Sequence, residues 1–173
     1  MSNSSAAAYW ASARQQGDGA RAADLAQRAL TLAEAADDAR ALAQAHNAVG
    51  LLAGGRGDLA TARHHLERSL ALAKALDDPG ARVAALNNLA LTASADGRID
   101  DALTLAQEAL ALCAAQGDRH REAALHSRLA DLLHAAGRLE PAMAHLKQAV
   151  RIYVEIGVEA GAVQPHIWKL TEW

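Results

Sequence analysis

Gly57-Asp58-Leu59-Ala60-Thr61-Ala62, Gly97-Arg98-Ile99-Asp100-Asp101-Ala102 and Gly137-Arg138-Leu139-Glu140-Pro141-Ala142 align without a gap, each glycine 40 residues after the last. Gly17-Asp18-Gly19-Ala20-Arg21-Ala22 extends the series toward the N-terminus at the same interval. Upstream of the glycines, Val49-Gly50, Leu89-Ala90 and Leu129-Ala130 keep this offset, and downstream so do Ser69-Leu70, Ala109-Leu110 and Ala149-Val150. A second punctuation recurs at Asp37-Asp38, Asp77-Asp78 and Gly117-Asp118. A fixed period of this length signals stacked repeats rather than one irregular core.

Each period reads as two helices. The glycines follow apolar helical stretches, where a left-handed C-terminal residue is favoured. Asp58, Asp100 and Glu140 fall at the start of the next helix, where a carboxylate complements the helix dipole. Asp78 before Pro79 is an N-cap followed by proline at the first helical position. The pattern predicts helices over roughly 4–15, 19–36, 39–54, 58–76, 79–95, 99–116, 119–136 and 139–156. A ninth is expected near 160–172, kinked or starting late because Pro165 falls inside it. The expected fold is all-α: a right-handed solenoid of four helix pairs with a C-terminal capping helix. As one domain over 1–173, its repeats are about 1–37, 38–77, 78–117 and 118–157, capped by about 158–173.

Composition agrees. The chain has 173 residues, 46 of them Ala and 25 Leu, with no Phe. Ala and Leu are the strongest helix formers, and small residues let helices approach closely. Its five aromatic residues are Tyr9, Trp10, Tyr153, Trp168 and Trp173, none between Ala11 and Ile152. They therefore sit where the repetition stops. Tyr9, Trp10, Trp168 and Trp173 either cover the open ends of the stack or mediate self-association.

Charge narrows the function. Lys and Arg total 17 against 20 Asp and Glu, a net charge of −3, and no basic block is present. Nucleic acid is not an expected partner, and neither is a membrane. The N-terminal Met1-Ser2-Asn3-Ser4-Ser5 lacks a basic and apolar leader pattern, so a cytoplasmic location is expected. Cys113 is the single cysteine, which precludes an internal disulfide, and it reads as a small core residue. His46 and His126 share one repeat position and His65 and His145 another, so each of these pairs is far apart in a solenoid. No His-x-x-x-His pair or His-Glu-x-x-His motif exists, so neither a metal nor another cofactor is expected. Gly54-Gly55-Arg56-Gly57 lacks the Lys-Ser/Thr and preceding strand of a phosphate loop and reads as a helix–helix turn. An enzyme would need His134, Asp131 and a neighbour to converge, and no catalytic motif supports one.

The pattern resembles the tetratricopeptide repeat, with an A helix, a tight turn and a B helix. Leu89-Ala90, Gly97 and Ala102 match its large–small pair, turn glycine and B-helix alanine. Two features depart from it. The period is 40 rather than about 34, which implies longer B helices or longer turns after them. Ala, Leu or His also stands where the motif has large aromatics. Ala85-Leu86-Asn87-Asn88-Leu89-Ala90 is similar to the longer-repeat subgroup found in kinesin light chains and many bacterial regulators. The resemblance implies that A-helix asparagines hold the backbone of an extended peptide, here Asn47, Asn87 and, less directly, Asn88.

The same resemblance implies a concave face lined by Gln44, Asn47 and Leu51, then Ala84, Asn87, Leu91 and Ser94, then Ala124, Ser127, Asp131 and His134, with Arg14 from the first repeat. Asn47, Asn87 and Ser127 form a ladder on it, unless these side chains instead bond a neighbouring helix. Asn88 and Arg128 stand where related proteins clamp a C-terminal carboxylate. That clamp is incomplete, because Asn47 and Leu51 replace its first-repeat residues; otherwise Arg128 is a solvated rim residue paired with Asp131. The expected function is a non-enzymatic module that binds a peptide or partner helix in the groove as an adaptor, scaffold or regulator. The alternative is a structural homo-oligomer whose groove or aromatic ends are occupied by another copy.

Overall fold

The structure, a computed structural model, describes residues 3–159 together with 163, 165, 166, 169 and 170, with side chains described from Asp18 onward. Seven helices follow in order: α1 (Asn3–Ala35), α2 (Ala39–Gly55), α3 (Leu59–Ala75), α4 (Pro79–Ala95), α5 (Ile99–Gln116), α6 (Arg119–Ala135) and α7 (Leu139–Glu155). No strand occurs among the described residues.

The turns set the period. Left-handed backbone occurs at Asp37, Gly57, Asp77, Gly97, Gly117, Gly137 and Gly157, one position in every twenty. At Gly97 the amide donates to Ser94 O and the next amide, of Arg98, donates to Ala93 O. This is a Schellman closure, which supplies partners for the last helical carbonyls. Asp38, Asp58, Asp78 and Asp118 then cap the following helices, their carboxylates accepting from backbone amides in the first turn. Arg98 and Arg138 make no such cap, and α5 and α7 instead carry Asp100, Asp101 and Glu140 in their first turns. The A helices α2, α4 and α6 have 17 residues each and the B helices 17 or 18. The B helices are thus hardly longer than the A helices.

The N-terminus differs from the expected pair of helices over 4–15 and 19–36. A single helix runs through Gly17-Asp18-Gly19 without reversing. A reversal has to be stabilised by apolar burial. The positions 40 residues before His46, Val49 and Leu52 are Ala6, Tyr9 and Ser12, a weaker ridge than any A helix presents. The Tyr9 and Trp10 side chains and residues Trp168 and Trp173 lie outside what is described, as does most of the expected capping helix.

Consecutive helices pack as antiparallel neighbours, and α2 also meets α4. Small residues make this possible. Ala62, Ala102 and Ala142 share one repeat position and are fully buried. Val49, Leu89 and Leu129 form the buried ridge of the A helices. Where α2 crosses α3, a Cβ on Gly50 would lie 2.6 Å from Leu66 Cγ. Ala90 and Ala130 occupy that position in the next two repeats and are equally buried.

Candidate interaction groove

The contact between α2 and α4 aligns consecutive A helices along one face, and two kinds of cavity open on it. Between α2 and α4 lies a cavity of about 260 Å³ whose walls include Leu51, Leu59 and Leu91, with Gly50, Gly54 and Gly55 on the α2 side. Leucines and glycines dominate these walls, and the result is an apolar socket. Leu51 and Leu91 remain exposed at its rim, at 49% and 39%. Leaving leucines in water has a cost that burial against a partner would remove.

Between α4 and α6 the chemistry changes. A cavity of about 310 Å³ is walled by Ser94, Ser127, Arg128 and Asp131 among others. A second, of about 220 Å³, is bordered by Asn87, Asn88, Arg121 and Arg128. Arg128 belongs to both. Its Nε is buried without a hydrogen-bond partner among the described residues. Burial holds the guanidinium below its ordinary pKa, while the charge of Asp131 works in the opposite direction. A buried cationic donor lacking an acceptor leaves a hydrogen bond unmade, the situation an incoming carboxylate or carbonyl would relieve.

The sequence-derived groove residues divide by environment. Gln44, Leu51, Leu91, Asp131 and His134 are exposed, as is Ala124, whereas Asn47, Asn87, Asn88, Ala84, Ser94 and Arg128 are half-buried. The three rungs of the ladder are unequal. Asn88 Nδ2 donates to Asn47 Oδ1 at 3.0 Å, tying α4 to α2. Ser127 is buried, and its hydroxyl lies 3.0 Å from His166 Nδ1. Asn87 faces the α4–α6 cavity. Asp131 forms an ion pair with Lys169 rather than with Arg128, and Arg128 is half-buried rather than a solvated rim residue. His166 also stacks on Tyr153, with ring centroids 5.4 Å apart, and Val163 is buried. The described C-terminal residues thus cover part of the α6 end of the groove.

Cys113 is buried, with its thiol directed at Asp118 O at 3.3 Å. Burial raises its pKa, which suits a core residue and not a nucleophile. Histidines supply a feature that repeat alignment alone misses. His46 Nδ1 lies 2.9 Å from His65 Nδ1, and His126 Nδ1 lies 2.8 Å from His145 Nδ1. The contact runs between the helices of one repeat, so the signal was the 19-residue spacing, occurring twice. A tetrahedral cation bound at about 2.05 Å by both nitrogens would hold them about 3.3 Å apart. The observed separation is that of a shared proton. No group of three or more His, Cys, Asp or Glu able to hold a metal occurs among the described residues. No described helix is long and apolar enough to cross a membrane.

Residues 82–154 match the tetratricopeptide repeat family. No curated protein sequence matches the chain. Among solved structures, BtubC (BKLC) from P. vanneervenii is similar at 23% identity and a TM-score of 0.62, over 81% of this chain and 56% of its own. The chain therefore spans little more than half the length of that protein. A kinesin light chain-like protein with nearly identical repeats from Podosopora anserina gives a TM-score of 0.74 at 18% identity, over 91% of this chain and 78% of its own. The repeat domain of FLU from Arabidopsis gives 0.60 at 18% identity, over 63% and 92%. At these identities the likeness is one of fold.

Proposed function

We propose that this chain, whose residues 82–154 match the tetratricopeptide repeat family, holds an extended peptide segment of a partner protein in the α2–α4–α6 groove. Repeats of this family are generally protein–protein interaction modules. The observation that carries the proposal is the half-buried Arg128, whose Nε, beside Asn87 and Asn88, has no hydrogen-bond partner among the described residues. An asparagine amide both donates and accepts, so it can pair with a peptide unit of any sequence. Arg128 adds a preference for a peptide carbonyl or carboxylate. The apolar socket bounded by Leu51 and Leu91 takes an aliphatic or aromatic side chain one repeat away. The polar contacts set register, and the socket supplies desolvation.

The test is selection from a random peptide display library on the immobilised chain, followed by affinity measurement with variants. Asn87→Ala and Arg128→Met should each weaken a selected peptide about tenfold, the loss expected for a hydrogen bond to a desolvated charged or amide group. Lys74→Ala, on the exposed end of α3, should leave affinity unchanged. Peptides whose affinity ignores Asn87 and Arg128, or a selection that enriches none, would refute the groove reading. A second reading, self-association, draws on Leu25 and Leu32, which stand seven residues apart on α1 and are 54% and 70% exposed. Sedimentation showing only a monomer at high concentration would dispose of it.

A further inference from the structure

The A–B contact occupied by histidines in two helix pairs is apolar in the pair between them. His46 and His65 join α2 to α3, and His126 and His145 join α6 to α7. Forty residues after His46 and His65 stand Leu86 and Leu105. Leu86 is fully buried, and Leu105 packs against the cluster that contains it. The two imidazole contacts are nearly identical, with centroids 5.1 and 5.0 Å apart and rings inclined at 40° and 38°. The chain thus contains its own comparison of one contact made two ways.

An Nδ1···Nδ1 hydrogen bond needs one protonated and one bare nitrogen. At neutral pH each ring carries one proton, and one ring donates to the other. A first added proton can enter on Nε2 of the donating ring and leave the bond intact. A second has only the accepting Nδ1 to bind. It would destroy the acceptor and set two cations in contact within a partly desolvated seam. We propose that the two histidine pairs are acid-labile clasps: below about pH 6 double protonation opens α2 from α3 and α6 from α7, while the leucine-sealed α4–α5 pair stays closed.

The surroundings favour the neutral pair. His64 and Arg68 of α3 join His65 in opposing a positive His46, against Glu34 of α1. His145 and Arg151 of α7 and Arg119 of α6 oppose a positive His126, against Glu122, which Arg119 already binds at 2.7 Å. His64 opposes a positive charge on His65. All four rings are held below the ordinary imidazole value, chiefly by burial. The unfolded chain then binds more protons than the folded one in mild acid. The stabilisation is complete above the unfolded value of about 6.5 and declines as pH falls below it. If each pair refuses one of its two protons, opening becomes about tenfold more favourable at pH 5.5 than at pH 7.5.

Amide hydrogen exchange of the unaltered chain at these two pH values, corrected for intrinsic rates, reads the effect helix by helix. The expected result is about a tenfold larger gain in opening on α2–α3 and α6–α7 than on α4–α5. Imidazole titrations followed by NMR should place the second protonation of each pair below the ordinary range. Replacing all four residues by the chain's own alternative, His46→Leu, His65→Leu, His126→Leu and His145→Leu, should abolish the difference between the helix pairs. Equal acid responses in all three pairs, or four rings titrating as free imidazoles, would overturn the proposal. The exchange and titration measurements decide it even if the fourfold variant does not fold.

Discussion

Gly50 shows how a single residue sets the spacing of two helices. Its missing Cβ would stand 2.6 Å from Leu66 Cγ and 3.1 Å from Ala62 O, the latter a backbone atom of α3. Two effects compete in Gly50→Ala. Alanine is favoured over glycine in a helix by about 1 kcal/mol. Overpacking of a tight interface costs about 1–3 kcal/mol. Because one of the obstructing atoms is backbone, the clash should prevail, and Gly50→Ala should lower the thermal midpoint despite its better helix propensity. A midpoint that rises would mean that α2 and α3 separate at this crossing with little loss of packing. The sequence displays the series Gly50, Ala90, Ala130 plainly, because small residues recurring at one position of a repeat point directly to a close helix crossing. The Asn47–Asn88 bond was less legible. It joins residues 41 apart, whereas alignment of the repeats compares residues 40 apart. The histidine contacts escaped for the same reason, since they join the two helices of one repeat.

At the scale of the element, Gly97 and Gly137 end α4 and α6 where the repeat predicts, and Asp78 caps α4 before Pro79. Such boundaries are written locally, in a left-handed glycine and a carboxylate within reach of free amides. Gly17 carries similar local signs, yet α1 continues through it. Local chemistry permits a turn there, but tertiary burial decides whether one forms. Gly19→Ala distinguishes the alternatives. Among the described residues no neighbouring atom lies within 4 Å of the added Cβ. In a continuous helix this substitution should stabilise the chain by about 0.5–1 kcal/mol. Chemical denaturation measures it, and a loss of stability would place a reversal at this point.

For the molecule as a whole, repetition does two things. It stacks helices in units of twenty residues, so that each bears mainly on its neighbours. It also places equivalent positions along one face, and there the repeats differ in chemistry: apolar between α2 and α4, amide and guanidinium between α4 and α6. The all-helical array could be read from the glycine period. The division of the groove could not, because it depends on which side chains are consumed by contacts within the protein. Asn88 holds Asn47, Ser127 meets His166 and Asp131 pairs with Lys169, leaving Asn87 and Arg128 at the α4–α6 cavity. The most direct test of the central claim is an NMR perturbation map with a library-selected peptide. Shifts should concentrate at Asn87, Asn88, Leu91 and Arg128, including the Asn87 side-chain amide. Shifts concentrated instead on the outward faces of α3 and α5, around Lys74 and Glu108, would contradict it.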